Sequence, residues 1–211
     1  MKKTYALEKG GPKTLEFSWG IGWKDFTIRQ DGDLIGKIPD QKQLKEGNEF
    51  TLKDGSRLYV KLNVGFMSSG LEVIRNGIPI EGSDADPNTR MKGCFGLLIF
   101  IAILDILGAA MVVLSAGSDP SNKADALMYG FIFLFFGFVY IILSLSVRKG
   151  SLTALYIAIT VVALEVLVGV VLLAMAGSAG SVFWAILRVL VIIYLISSVK
   201  YFKEESKTGL T

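Results

Sequence analysis

The chain has 211 residues, 52% of them hydrophobic, and a formal charge of +3 from 22 basic and 19 acidic side chains. It holds no histidine and one cysteine, which excludes His-based acid–base catalysis, Ser-His-Asp and Cys-His dyads, haem ligation by His, Cys/His zinc sites within one chain and an intramolecular disulfide. So small a charge, spread without a basic patch, also gives no argument for nucleic acid, and none is expected as a partner. The remaining charges are unevenly placed. Residues 1–92 carry 15 Lys/Arg and 13 Asp/Glu, whereas residues 93–211 carry 7 and 6, so a boundary is expected near residues 90–93.

In chain order, the opening MKKTYALEKGG has two lysines but no apolar stretch after them, unlike a signal peptide. Residues 1–87 read as a small antiparallel β-domain, a sandwich or a barrel. Strands are predicted over 5–8, 14–19 and 25–30. Three turn signals follow, Asp31-Gly32, Asp54-Gly55 and Asn76-Gly77, each favouring the positive φ angles of tight hairpins. Their flanks FTIRQDGDLIGKI, FTLKDGSRLYVKL and LEVIRNGIPIEG are alike enough to resemble a repeat of about 22 residues. Shared hairpin chemistry is the simpler explanation and the one adopted. Alternation places Phe26, Ile28, Phe50, Leu52, Leu58, Val60, Leu62, Leu71, Val73 and Ile78 on the buried face. Residues 39–47 are expected to form a loop or one helical turn. Trp19 and Trp23, beside glycines, mark either a core corner or a ligand-stacking surface, with the core preferred. Asp84, Asp86 and Pro87 lack the ligand pattern of a calcium loop and are expected to be a solvated stretch running into a linker over 88–92.

Four apolar runs come next, at about 93–115, 124–147, 152–176 and 182–201. Each suffices at 1.5 Å per residue to cross about 30 Å of hydrocarbon. Their short connections predict an up-down four-helix transmembrane bundle. The fold class is therefore an α+β membrane protein, a cytoplasmic β-domain followed by four spans and a cytoplasmic tail over 204–211. Arg90 and Lys92, Arg148 and Lys149, and Lys200, Lys203 and Lys207 all fall on one side of the bundle. The positive-inside rule makes that side the cytoplasm and puts both termini there. With no organelle signal, the plasma membrane is the expected location. Cys94 is read as a small buried hydrophobe rather than a lipidated one. Asp125 is placed to cap the second span, the aromatic run 131–140 to pack or face lipid, and Trp184 and Tyr201 to anchor at the interfaces.

Three charges lie inside the spans: Asp105, Glu165 and Arg188. Helical rise puts the two acids about 15 Å and the arginine about 9 Å from the side opposite the basic clusters, so the three are able to meet. Ala102, Gly108 and Ala109 accompany Asp105, while Ala154, Ala158 and Gly169 share the face of Glu165. Small residues permit close helix contact. In one reading the triad is an ion pair that pins the bundle; in the other it lines a path for a proton, an ion or a head group. Two acids against one base leave a surplus negative charge, to be met by a proton or a cation. Thr160 and Ser144 are too few to extend a path, so the structural reading is preferred.

No catalytic, cofactor-binding or metal site is expected, and no enzyme. The function expected is a membrane-anchored binding, regulatory or scaffolding module. Its partners are the lipid bilayer and a protein bound by the β-domain, or a second copy of the chain. A small oligomeric transporter or channel subunit using the triad is the alternative, and a lipid-directed membrane enzyme ranks third.

Overall fold

Asn76-Gly77 and Asp31-Gly32 take positive φ at both residues, the twist that two-residue hairpins require. Each joins neighbouring strands in the computed structural model, which describes residues 1–64, 69–116, 123–176 and 179–208; for 115–116, 171–176, 179–183 and 204–208 only the backbone is described. The expected start of the fourth span, the tip of the first interhelical loop and most of the tail thus lie wholly or partly outside the described side chains. The chain divides into two units, residues 1–90 and 91–211.

The first unit is built from two four-stranded antiparallel meanders. One contains β1 (Lys2–Tyr5), β2 (Leu15–Ser18), β3 (Phe26–Gln30) and β4 (Asp33–Ile38); the other contains β5 (Asn48–Thr51), β6 (Arg57–Val64), β7 (Ser69–Arg75) and β8 (Ile78–Pro79). Both sheets contribute to one apolar cluster, with Phe17, Phe26 and Ile28 from the first and Leu58, Val60 and Val73 from the second fully buried. Two sheets sharing a core form a sandwich rather than a closed barrel. α1 (Gln41–Glu46) joins them, its start capped by Asp40, whose side chain accepts from the Gln43 amide at 2.9 Å. Its one buried side chain, Leu44, completes the core.

Several expectations needed correction. β1 occupies Lys2–Tyr5 rather than residues 5–8; Tyr5 is its inward residue, and its ring meets Phe17 edge-on at 5.4 Å. Ile78 is 71% exposed and Phe50 only half-buried, while Ile80 is buried. The two-residue turn places Ile78 opposite Arg75 at the sheet edge, so the inward position passes to Ile80. The Asp54-Gly55 connection is a wider turn, with positive φ at Gly55 alone and the Leu52 amide donating to the Ser56 carbonyl. This hairpin thus differs in geometry from the other two. A register shift between Ile28 and Arg29 leaves Ile35 as an extra residue in β4.

The stretch expected to be solvated is largely buried. Ser83 and Asp86 are inaccessible or nearly so. Asp86 accepts from the Asn88 amide at 3.0 Å and the Thr89 hydroxyl at 2.9 Å, and Asp84 pairs with Arg90. Asp86 followed by Pro87 is an N-cap and first-position proline. Residues 88–92, expected as a linker, are helical. Trp19 and Trp23 stack at 4.4 Å, and Trp19 lies 6.0 Å from Phe26. Both are half-buried against the core, which is the corner expected.

The second unit is helical: α2 (Pro87–Ala116), α3 (Lys123–Arg148), α4 (Leu152–Ala176) and α5 (Ala179–Thr208). All four are long and apolar enough to cross a membrane, which makes this a multi-pass integral membrane protein. Side chains such as Phe131, Phe138, Ile142 and Leu167 project outward, each more than half exposed, as a lipid-facing surface requires. Inward residues recur every three or four positions: Cys94, Leu98 and Ile101 on α2, Leu143 and Val147 on α3, Leu155, Ala158 and Val162 on α4, Val191 and Leu195 on α5. Asp125 stands in the first turn of α3, where the helix dipole favours an acid.

Candidate functional site

The inward stripes continue into polar residues. One turn beyond Ile101 and Ala102 on α2 comes Asp105; one turn beyond Val162 on α4 comes Glu165; one turn before Val191 on α5 comes Arg188. Tyr140 on α3 precedes Leu143 by three positions. Helical periodicity alone therefore turns all four inward. They meet. The Arg188 guanidinium donates from Nη2 to Asp105 Oδ1 at 2.8 Å, and its Nε lies 3.0 Å from Glu165 Oε2. The Tyr140 hydroxyl donates to the same Glu165 Oε2 at 2.6 Å. Each of the four helices supplies one member.

The two arginine contacts are unequal. Nη2 meets Asp105 with hydrogen-bond geometry, whereas Nε approaches Glu165 off-line and makes no hydrogen bond, leaving a charge-to-charge contact. Asp105 is 1% exposed, and its Oδ2 has no hydrogen-bond partner among the described residues. The Arg188 guanidinium also lies 6.0 Å from the Trp184 ring centre, so this tryptophan, read as an interfacial anchor, stands over the cation as well.

Close backbone approach brings the helices within reach of these contacts. Gly130 and Gly137 on α3 face Ala109 and Ala102 on α2, antiparallel and seven residues apart on each side. A Cβ added at Gly137 would stand 3.3 Å from the Ala102 carbonyl oxygen and 3.1 Å from Ile106; one at Gly130 would stand 2.7 Å from Val113. On α4, Ala154 and Ala158 are buried as the small-residue argument requires. Gly169, expected on the same contact face, has no described neighbour within 4 Å of where its Cβ would stand.

The nearby hydroxyls do not extend the cluster. Ser144 donates to the Ile141 carbonyl at 2.7 Å and Thr160 to the Tyr156 carbonyl at 3.0 Å, the back-bonding usual for such residues inside helices. Among the described residues no group of three or more His, Cys, Asp or Glu is placed to hold a metal ion.

Sequence reasoning named three members and missed Tyr140, which stood in a run of aromatics read as packing. The signal was its spacing, since Gly137 and Ser144 flank it at i−3 and i+4. In comparisons with protein-family models, curated proteins and solved structures, nothing matches this chain.

Proposed function

We propose that the protein is a membrane-anchored binding module, whose β-domain engages a protein partner while the helical part serves as its anchor. The observation that supports this is the four-helix network. A largely buried guanidinium paired with two carboxyls, one of them also bonded by a tyrosine, supports a role for the intramembrane charges in joining helices. Removing such charges from lipid by mutual pairing is what a static anchor needs. The β-domain carries exposed apolar side chains, Ile21 foremost at 92%, of the kind that protein contacts cover. Basic clusters beside one end of the spans support cytoplasmic termini in the plasma membrane.

Asp105 Oδ2, buried and without a partner among the described residues, favours a second reading, an oligomeric transporter or channel subunit in which that oxygen takes a proton or cation in transit. One pair of experiments separates the two. Full-length protein captured in mild detergent should retain a partner that Ile21→Asp weakens and that the double change Asp105→Asn, Glu165→Gln leaves in place. Ion or proton flux in proteoliposomes that the double change abolishes would replace the anchor with the transporter. Orientation is checked with Cys94→Ala protein carrying Lys123→Cys or Lys149→Cys. An impermeant maleimide should label intact cells at the first position and not at the second.

A further inference from the structure

The antiparallel pairing of α4 and α5 sets the first turns of α4 beside the last described turns of α5. Between them runs a groove of about 410 Å³ lined by Tyr156, Ile159, Ile196, Val199, Lys200 and Lys203. Its composition is graded along the helix axis. Ile159, Ile196 and Val199 form an apolar floor; Tyr156, 44% exposed, and the two lysines stand at the end where the spans terminate. From Ile196 to Lys203 is seven residues, about 10 Å of rise. That length matches the upper part of an acyl chain with its head group at the level of the lysines.

We propose that this groove is a binding site for one anionic phospholipid. The acyl chain lies on Ile159, Ile196 and Val199, and the head-group phosphate is held by the ammonium groups of Lys200 and Lys203 and faced by Tyr156. Charge complementarity selects the occupant. Two cations at one mouth match a head group of net negative charge, whereas a zwitterionic head group brings its own ammonium and gains little from them. Lys200 has its Nζ 4.5 Å from the Tyr201 ring centre, a cation–π contact at the mouth of the groove. The same end of the bundle carries Arg148, at 5.1 Å over Phe95, and Lys149 in the α3–α4 turn, so the field there is positive. Glu204 and Glu205 follow the groove in sequence and oppose that charge, so the anion preference has to come from the two lysines at the mouth.

Native mass spectrometry of the full-length protein tests the site, titrating dioleoylphosphatidylglycerol against dioleoylphosphatidylcholine. One phosphatidylglycerol should be retained in preference. Lys200→Gln with Lys203→Gln should erase the preference, at about five-fold per lysine, without shifting the unfolding temperature. Ile196→Trp, which fills the floor and leaves both charges, should lower retention of either lipid, and Lys123→Gln at the opposite end should change nothing. Glycerol phosphate, lacking the chain, should not compete. Equal retention of the two lipids, a preference that survives the lysine changes, or competition by glycerol phosphate would each overturn the proposal.

Discussion

Replacing Arg188 by leucine removes the one cation of the network and strands its two acids unequally. Glu165 keeps the Tyr140 hydroxyl at 2.6 Å. Asp105, 1% exposed, loses its only hydrogen-bond donor among the described residues. Breaking a buried pair from one side costs about 3–5 kcal/mol, whereas replacing all its members with apolar residues of similar volume is often neutral. Arg188→Leu alone should therefore cost about 3 kcal/mol or more. Adding Asp105→Leu should recover most of that loss, and adding Glu165→Leu instead should recover less, because Glu165 is the better-satisfied acid. Changing Asp105, Glu165 and Arg188 to leucine together with Tyr140→Phe should return stability to within about 2 kcal/mol of the natural protein, the phenol change sparing an orphaned hydroxyl worth about 1–3 kcal/mol. Denaturant titration of the full-length protein in mild detergent, followed by helical circular dichroism, gives the four values. Equal loss in the single and quadruple variants would refute the ion-pair account, and equal rescue by Asp105→Leu and Glu165→Leu would refute its asymmetry.

Three further predictions concern other parts of the chain. Tyr5 is buried, its hydroxyl has no partner among the described residues, and burial, with Asp84 adding to it, raises its pKa above the usual tyrosine range. The folded domain thus keeps a proton that the unfolded chain releases above about pH 10, so this contribution to stability is intact below that pH and falls as pH rises further. Tyr5→Phe should match or exceed the natural protein by about 1 kcal/mol at pH 7 and lose part of the alkaline sensitivity in urea unfolding. Lys3, lowered by burial, has the opposite slope, and its Nζ lies 5.0 Å from the Tyr5 ring centre; phenylalanine keeps that ring contact while removing the Tyr5 proton. Asp86→Ala removes the cap of α2 and should cost about 1 kcal/mol, with Asp86→Asn largely retaining it, read from the thermal midpoint of the full-length chain. Gly137→Leu drives a side chain into Ala102 and Ile106 and should cost about 1–3 kcal/mol; Phe131→Leu, on the outward surface, should cost under about 0.5 kcal/mol in the same detergent titration.

Local chemistry made much of this protein legible before its structure. Asp31-Gly32 and Asn76-Gly77 announce their hairpins because positive φ is inexpensive at those residues. Four runs of about 20 apolar residues admit few structures besides membrane helices, since a backbone in lipid must satisfy its own hydrogen bonds. Three charges inside those runs declare an inward constellation, because a lone charge facing lipid is costly. Distant packing settled the rest. A short turn before Ile78 shifted which side chain faces the core, and a bulge at Ile35 interrupted β4; neither leaves a mark in alternation. Asp86 read as solvated because a capping carboxylate and a linker carboxylate look alike until the helix they precede is placed.

Tyr140 shows where local information ends. Its hydroxyl matters only because α3 approaches α2 through Gly137 and Gly130 while α4 presents Glu165, an arrangement no single helix encodes. Which charges exist, and which faces they occupy, follows from the amino-acid order through the helical period. Which of them touch, and which oxygen of Asp105 is left without a partner, depends on how four helices close around one guanidinium, and only the tertiary structure decides that.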